Sequence, residues 1–387
     1  MQTEKTDCKY FGKCGGCDLI GIPYPEQLLR KGRYLEKQLG KMAASNGCTI
    51  ENVVAAEDPY YYRNKVHSVF FRDKKGKILR GMYREESHKV VDVSGCLLEN
   101  RIADAVISEI KHIAETYRMK IYDEDTGYGF LRHVLVRTAV YKGKPSIMAV
   151  IVTAQVQFEG KNNFIRLLTK KFPEISTIVQ NINNKRTSMV LGERNIVLYG
   201  RGYVLDDSLG LEFRISPSSF FQIIPAQTVK LYGLALEMAA PRGTDTVLDA
   251  YCGTGTIGLF MSRSAGRVIG VELNREAVKD AIFNAERNKI TNAEFICSDA
   301  TQFMKDCNEK IDILCMDPPR SGSTEEFINA AADLAIPRVV YVSCDPESLS
   351  RDLKVFLKKD YVIRRIVPVD MFPHTDKCEA VTLLEKK

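Results

Sequence analysis

Between residues 246 and 344 the chain repeats one rhythm: a short β-branched run, a turn, then a helix-like segment. TVLDAY (246–251) enters a glycine turn, RVIGVEL (267–273) precedes NREAVKDAIFNAERN, and AEFICSD (293–299) precedes a short helical stretch. KIDILCM (310–316) runs into PPRSG, and RVVYVSC (338–344) is followed by Asp345-Pro346. Asp caps a first helical turn and Pro fits its first position, so a helix is predicted to start there. Strands separated by helices cannot pair as hairpins, and this alternation predicts a doubly wound, mostly parallel α/β sheet. The carboxyl ends of such strands share one edge, where ligands bind. Two further strand-like pieces, YVIRRIVPVDMF and EAVTLLE, close the chain.

Before residue 215 the pattern is different. KVHSVFF and ILRGMY flank DKKGK, LRHVLVRTAVY and SIMAVIVT flank KGKP, and helical stretches follow Cys96 and include NNFIRLLTKKF. Paired strands about turn residues predict an antiparallel α+β domain. The expected organisation is therefore residues 1–215 as a cysteine-bearing segment with an α+β domain, and residues 216–387 as the doubly wound domain. Residues 26–45 form a separate helix that can dock on the doubly wound domain. No apolar run approaches the ~20 residues of a membrane span, and the start MQTEKTDCKY lacks the apolar core of a secretory signal. Eleven cysteines without such a signal point to a reducing cytoplasm, where spaced cysteines bind metal or do chemistry.

Charge is unevenly placed. Tyr60 to Val90 holds nine Lys/Arg against three Asp/Glu, an excess equal to the formal +6 of the whole chain. A solvated hairpin rim would account for it, and so would a phosphate-binding face. Tyr60, Tyr61, Tyr62, His67, Phe70 and Phe71 lie among these cations, which suits unpaired RNA better than a membrane. Arg63, Lys65, Arg72 and Arg132 are the expected RNA contacts.

VLDAYCGTGTIG satisfies G-x-G-x-x-G through Gly253, Gly255 and Gly258, with Glu272 nineteen residues past Gly253. The pattern alone suggests a dinucleotide. Asp249 just before the turn argues otherwise, because a carboxylate there would repel a pyrophosphate at the helix N-terminus. It suits a ligand with an ammonium group and no phosphate, such as S-adenosylmethionine. The Gly253–Gly255 backbone then approaches the methionine end, Glu272 accepts from the ribose hydroxyls, and Asp299 lies near the adenine. A tight turn that needs glycine only for packing is the plainer alternative.

Asp317, in DPPRSG, and Cys344 end neighbouring strands at the same sheet edge. Carbon 5 of uracil is too weak a nucleophile to take a methyl from a sulfonium, and adding a thiolate to carbon 6 turns the ring into an enolate that can. The helix from Pro346 should favour the thiolate, with Asp345 opposing it. Glu379, in CEAVTLLE, is the candidate base for removing the hydrogen from carbon 5.

Taken together, SPSSFFQ (Ser216–Gln222), DAYCGTG, GVELN, DPPRSG, VSCDP and CEAVTLLE resemble the S-adenosylmethionine-dependent RNA uracil-5-methyltransferases of 23S rRNA and tRNA. The resemblance covers nearly the whole chain. It implies a Rossmann-like class I methyltransferase domain, with Cys344 as nucleophile, Glu379 as base and Asp317 on the target uracil. It further implies Gln222, Tyr251, Gly253 and Glu272 at the cofactor, and Phe220 and Phe221 as stacking groups. One departure is visible: where the family often has His-Val before the glutamate, this chain has Lys377-Cys378.

Cys8, Cys14 and Cys17 are spaced by five and two residues, with Gly15-Gly16 permitting a tight wrap. Spacing alone leaves a four-iron four-sulfur cluster, a zinc site and unligated thiols open. The resemblance favours the cluster, with Cys96 in DVSGCLLEN as fourth ligand. It also favours 23S rRNA over tRNA as substrate, although many cluster-bearing relatives begin with a β-barrel RNA-binding domain, and only seven residues precede Cys8 here. A monomer is expected. A cytosine-5 enzyme would carry its nucleophile at Arg320, and an adenine-N6 enzyme an aromatic residue there. A non-catalytic RNA-binding protein of the same fold would not require Asp317, Cys344 and Glu379 together.

Overall fold

The computed structural model describes residues 8–84, 89–186 and 189–387. The chain divides into two compact units, one of residues 1–21 and 58–218, the other of 22–57 and 219–387.

The first unit is built on a seven-stranded sheet. In spatial order its strands are Val90–Asp92, Ile78–Tyr83, Lys65–Arg72, Leu131–Tyr141, Lys144–Thr153, Ile175–Ile182 and Arg194–Gly200. The two hairpins read from sequence are present, with Arg72 opposite Ile78 and Tyr141 opposite Lys144. The second closes on Lys142 and Gly143, both left-handed (φ 52° and 70°), as a two-residue turn that follows strand twist requires. One pair departs from the antiparallel expectation. Lys144–Thr153 and Ile175–Ile182 run parallel, because the helix Lys161–Lys171 between them makes a crossover. That helix and Arg101–Thr116 cover one sheet face, burying Val106, Ile110, Phe164 and Leu168 against Val66, Val134, Ala149 and Ile178. Asn100 caps the longer helix by accepting from the N–H groups of Ile102 and Ala103.

The second unit carries the alternating segment as a seven-stranded sheet. Its order is Ala293–Cys297, Arg267–Glu272, Thr246–Ala250, Ile313–Met316, Arg338–Ser343, Glu379–Lys386, Tyr361–Val369. The first five strands and Tyr361–Val369 run in one direction, and Glu379–Lys386 lies antiparallel between Arg338–Ser343 and Tyr361–Val369. Strand order reverses between Thr246–Ala250 and Ile313–Met316, so a crevice opens at their carboxyl ends. The helix Tyr24–Ser45 belongs to this unit. It buries Gln27, Lys31, Leu35, Leu39 and Ala43, a strict i+4 stripe, with Leu35, Leu39 and Ala43 in the same core as Phe327, Leu353 and Phe356. Among the described residues no helix is long and apolar enough to cross a membrane.

Candidate active site

A cavity of about 680 Å³ lies at the carboxyl edge of the second unit's sheet. Gln222, Tyr251, Gly253, Glu272, Asp299, Asp317, Cys344 and Glu379 all line it, as do Phe220 and Phe221. Residues from Phe220 to Glu379 thus meet because six strand ends and one loop share an edge.

The glycine turn forms the floor. Tyr251 is held left-handed (φ 63°), a conformation costing a non-glycine residue about 1 kcal/mol or more. Its hydroxyl meets Ser323 Oγ at 3.1 Å, and its ring packs 5.5 Å from that of Phe327. Gly253 (φ 55°) has no atom within 4 Å of where a Cβ would stand, so a side chain there would project into open space. Its N–H donates to Glu272 Oε2 at 3.1 Å, and Asn274 N–H donates to Oε1 at 2.7 Å. Glu272 is thereby fixed at the end of its strand. Asp299 caps the helix Ala300–Asp306 through Gln302 N–H.

Two expected cofactor residues are placed differently. Asp249 is buried behind the turn rather than in the cavity wall, and its Oδ2 accepts from Gly258 N–H at 2.7 Å. Burial pushes its carboxyl up to about 8, opposed by the Gly258 bond and reinforced by Asp317 and Glu272. Its work is to orient the turn, not to meet a ligand's ammonium. Gly255 (φ 79°) also stands behind the lining, where a Cβ would come within 2.8 Å of the Phe295 ring. Glycine is required there for packing.

The chemical end of the cavity is acidic. Glu379 is 3% exposed, and its Oε2 has no hydrogen-bond partner. Burial raises its pKa well above the ordinary range, and the nearby Asp317 adds to this. Burial likewise raises Asp317. Two carboxyls in one dry site cannot readily ionise together. Cys344 is half-buried, and its thiol is pushed up to about 11 by burial, then by Glu379 and Asp317, with Arg320 opposing. The expectation of a helix-stabilised thiolate therefore fails. Asp345 does cap the following helix, accepting from Ser348 N–H at 2.9 Å, but desolvation and two acids outweigh the helix terminus.

One consequence is measurable. Alkylation of Cys344 in the ligand-free protein should rise about tenfold per pH unit from roughly pH 7 to 9, following the thiolate fraction. Iodoacetamide labelling read on the Cys344 peptide checks it, and a rate flat across that window would mean a thiolate already formed.

Sequence reasoning missed Tyr232, Thr256, Leu273 and Phe372, which also line the cavity. Tyr232 comes from the helix Pro225–Ala239 and Phe372 from the turn before Glu379. Neither carries a local signal, since only the fold brings them to the edge.

In the first unit, Arg132 is not available to RNA. It is 2% exposed, forms a bidentate pair with Glu124 and donates to the carbonyls of Asn183 and Lys185. Lys65 is half-buried, and burial followed by the charge of Arg137 lowers it to about 8. Arg72 is exposed and donates to the Gly76 carbonyl across its own hairpin. Arg63 lies beside the cysteines, where its charge draws down both Cys17 and Cys96. Cys17 is raised to about 12, first by burial and then by Cys96, with Cys14 and Cys8 adding smaller amounts. The four thiols thus share one electrostatic neighbourhood. Among the described residues no three His, Cys, Asp or Glu side chains converge closely enough to hold a metal ion.

A Rossmann-like sheet whose switch-point cavity combines a glycine turn, a glutamate at the end of the next strand, a thiol and two further carboxyls has a methyltransferase architecture. Residues 203–387 match the family model for tRNA (uracil-5-)-methyltransferase. An uncharacterized RNA methyltransferase of Clostridium tetani is 39% identical over 380 residues, covering 97% of this chain and 82% of that one. One of Bacillus cereus is 37% identical, covering 99% and 83%. Among solved structures, the Pyrococcus abyssi tRNA (uracil-54, C5)-methyltransferase in complex with S-adenosyl-L-homocysteine superposes with a TM-score of 0.79. It shares 28% identity and covers 96% of this chain and 85% of its own. The chain belongs to the S-adenosylmethionine-dependent RNA uracil-5-methyltransferase family.

Proposed function

We propose that this enzyme methylates carbon 5 of a uridine in structured RNA through a covalent Cys344 adduct, with 23S rRNA as the substrate. The observation that carries the mechanism is the convergence of Cys344, Asp317 and Glu379 on the cavity that holds Gly253 and Glu272. Among the described residues, its carboxyl lining is Glu272, Asp299, Asp317 and Glu379, against the cation Arg320. That balance suits a ligand carrying sulfonium and ammonium charge and disfavours a pyrophosphate.

S-adenosylmethionine, when bound, supplies an electrophilic methyl group. Glu272, Asp299, Tyr251 and the Gly253 backbone are the residues that would hold it, with Gln222 between cofactor and base. Cys344 Sγ bonds carbon 6 of the uracil, its proton passing through the ionised member of the carboxyl pair to solvent, and negative charge develops at carbon 5. Asp317 holds the ring by its polar edge. After carbon 5 is methylated, Glu379 takes its hydrogen as a proton, and the electron pair left behind expels Cys344 as thiolate. The net release is one proton per methyl transferred. The exposed Phe220 offers a stacking face to a base drawn out of its helix.

The spacing of Cys8, Cys14 and Cys17 is open to a cluster or a zinc ion, and the family resemblance favours a four-iron four-sulfur cluster. Cys8, Cys14, Cys17 and Cys96 would hold it and tie the amino-terminal segment to the first unit. Purified anaerobically, the protein is expected to carry about four irons and no zinc, with the visible absorbance lost on Cys96→Ser. Stoichiometric zinc without iron would overturn the cluster.

The function is tested by mapping 5-methyluridine in rRNA and tRNA from cells with and without the gene. Loss confined to 23S rRNA is the expected result. Loss confined to tRNA would redirect the substrate assignment while leaving the chemistry intact.

A further inference from the structure

The buried stripe of the helix Tyr24–Ser45 begins with two polar residues, Gln27 and Lys31, before its apolar members. Neither is there for solvent. Lys31 Nζ lies 2.6 Å from Asp370 Oδ1, with the two side chains 1% and 0% exposed, and also donates to the Phe372 carbonyl at 2.9 Å. Tyr24 donates its hydroxyl to Asp370 Oδ2 at 2.8 Å. Phe372 N–H donates to Asp370 Oδ1 at 3.2 Å. The Asp370 backbone is gripped as well: its N–H donates to Val54 O, and its carbonyl accepts from Gln227 Nε2, both at 3.0 Å. Gln27 completes the clamp by bonding both the backbone N–H and Nδ1 of His374, each at 3.0 Å. His374 is thereby held left-handed at φ 67°.

The clamped segment adjoins the chemistry. Asp370 directly follows Val369, the cross-strand partner of Glu379, and Phe372 and Glu379 both line the cavity. A buried ion pair is seldom more stabilising than apolar side chains of similar volume, so stability alone does not account for one here. What it supplies is a single geometry. We propose that Lys31 and Asp370 are positioning residues for proton removal: their ion pair fixes the Asp370–His374 turn, and through it Phe372 and Glu379, at the wall of the uracil site. The proposal rests on Glu379 as the base.

The test is the double variant Lys31→Met/Asp370→Asn, which removes both charges and leaves no buried charge unpaired. S-adenosylmethionine affinity and the melting temperature are expected to stay close to those of the parent enzyme. Turnover on total RNA from cells lacking the gene should fall on the order of tenfold to a hundredfold, as misplacement of a reacting group does. The Cys344–RNA adduct should accumulate in place of product, which a merely structural pair would not cause. A folded double variant with parental turnover and no adduct overturns the proposal. Tyr24→Phe, which withdraws one hydroxyl from Asp370, repeats the test if the double variant fails to fold: more adduct supports the positioning role, and none overturns it. Glu379→Gln run alongside separates the two levels. If it accumulates adduct and the clamp variants do not, only the positioning role fails; if it turns over normally, the base assignment fails and the positioning role with it.

Discussion

Cys344→Ala is expected to lower methyl transfer by about 10⁴-fold or more, the scale on which loss of a nucleophile acts, while S-adenosylmethionine still binds. The reason is chemical. Without addition at carbon 6 there is no enolate, and carbon 5 lacks the electron density to attack the methyl. Cys344 is half-buried and alanine is close to it in size, so the stability change should stay within about 1 kcal/mol. Melting temperature and cofactor titration, measured beside turnover, separate a lost nucleophile from a lost fold. Cys252 and Cys315, both buried, have thiols held well above the usual range by burial and by Asp249. Neither can substitute.

Glu379→Gln should lower turnover by about 10² to 10⁴-fold, the range for removal of a general base, yet leave methyl transfer itself competent. The methylated adduct then persists on ordinary uridine RNA, because only the proton on carbon 5 remains to be lost. Gel-shifted, heat-stable protein–RNA complex measures it, and normal turnover would remove Glu379 from the mechanism. Stability should move in the other direction with pH. The folded-state pKa of Glu379 lies above its unfolded value, so the neutral form stabilises the fold below about pH 4, and that contribution is lost as pH rises. Glutamine never ionises, so the variant should gain melting temperature relative to the parent under alkaline conditions.

The catalytic sheet was legible because its signals are local. Val339–Val342 before Ser343-Cys344, the Asp345-Pro346 cap and the Gly253–Gly258 turn each declare a strand end or a helix start within a few residues. Counting those ends at one edge was enough to bring Asp317 and Cys344 together, while Glu379, which opens an antiparallel strand, was named from the chemistry it would perform and from the resemblance. What stayed hidden depends on distance in the chain. Nothing near Lys31 signals that its partner is Asp370, although the helix over residues 26–45 was expected to dock on the domain with which residues 22–57 do pack. Arg132 reads as a free cation until Glu124 and two carbonyls are seen to occupy its guanidinium. Asp249 reads as a ligand contact because its position in sequence is right, while its side chain turns inward to Gly258. The ionisation of Cys344 was misjudged for the same reason. The helix terminus is visible in sequence, but the desolvation that outweighs it is not.

The most direct test of a Cys344 adduct is trapping on RNA containing 5-fluorouridine. After methylation, fluorine at carbon 5 cannot leave as a proton does, so elimination stalls and the sulfur–carbon bond persists. With S-adenosylmethionine present, protease digestion and mass spectrometry should place the methylated 5-fluorouridine on the Cys344 peptide, and omitting the cofactor should prevent this methylated product. An adduct on Cys252 or Cys315, or methyl transfer by the Cys344→Ala protein at close to the parental rate, would contradict the account.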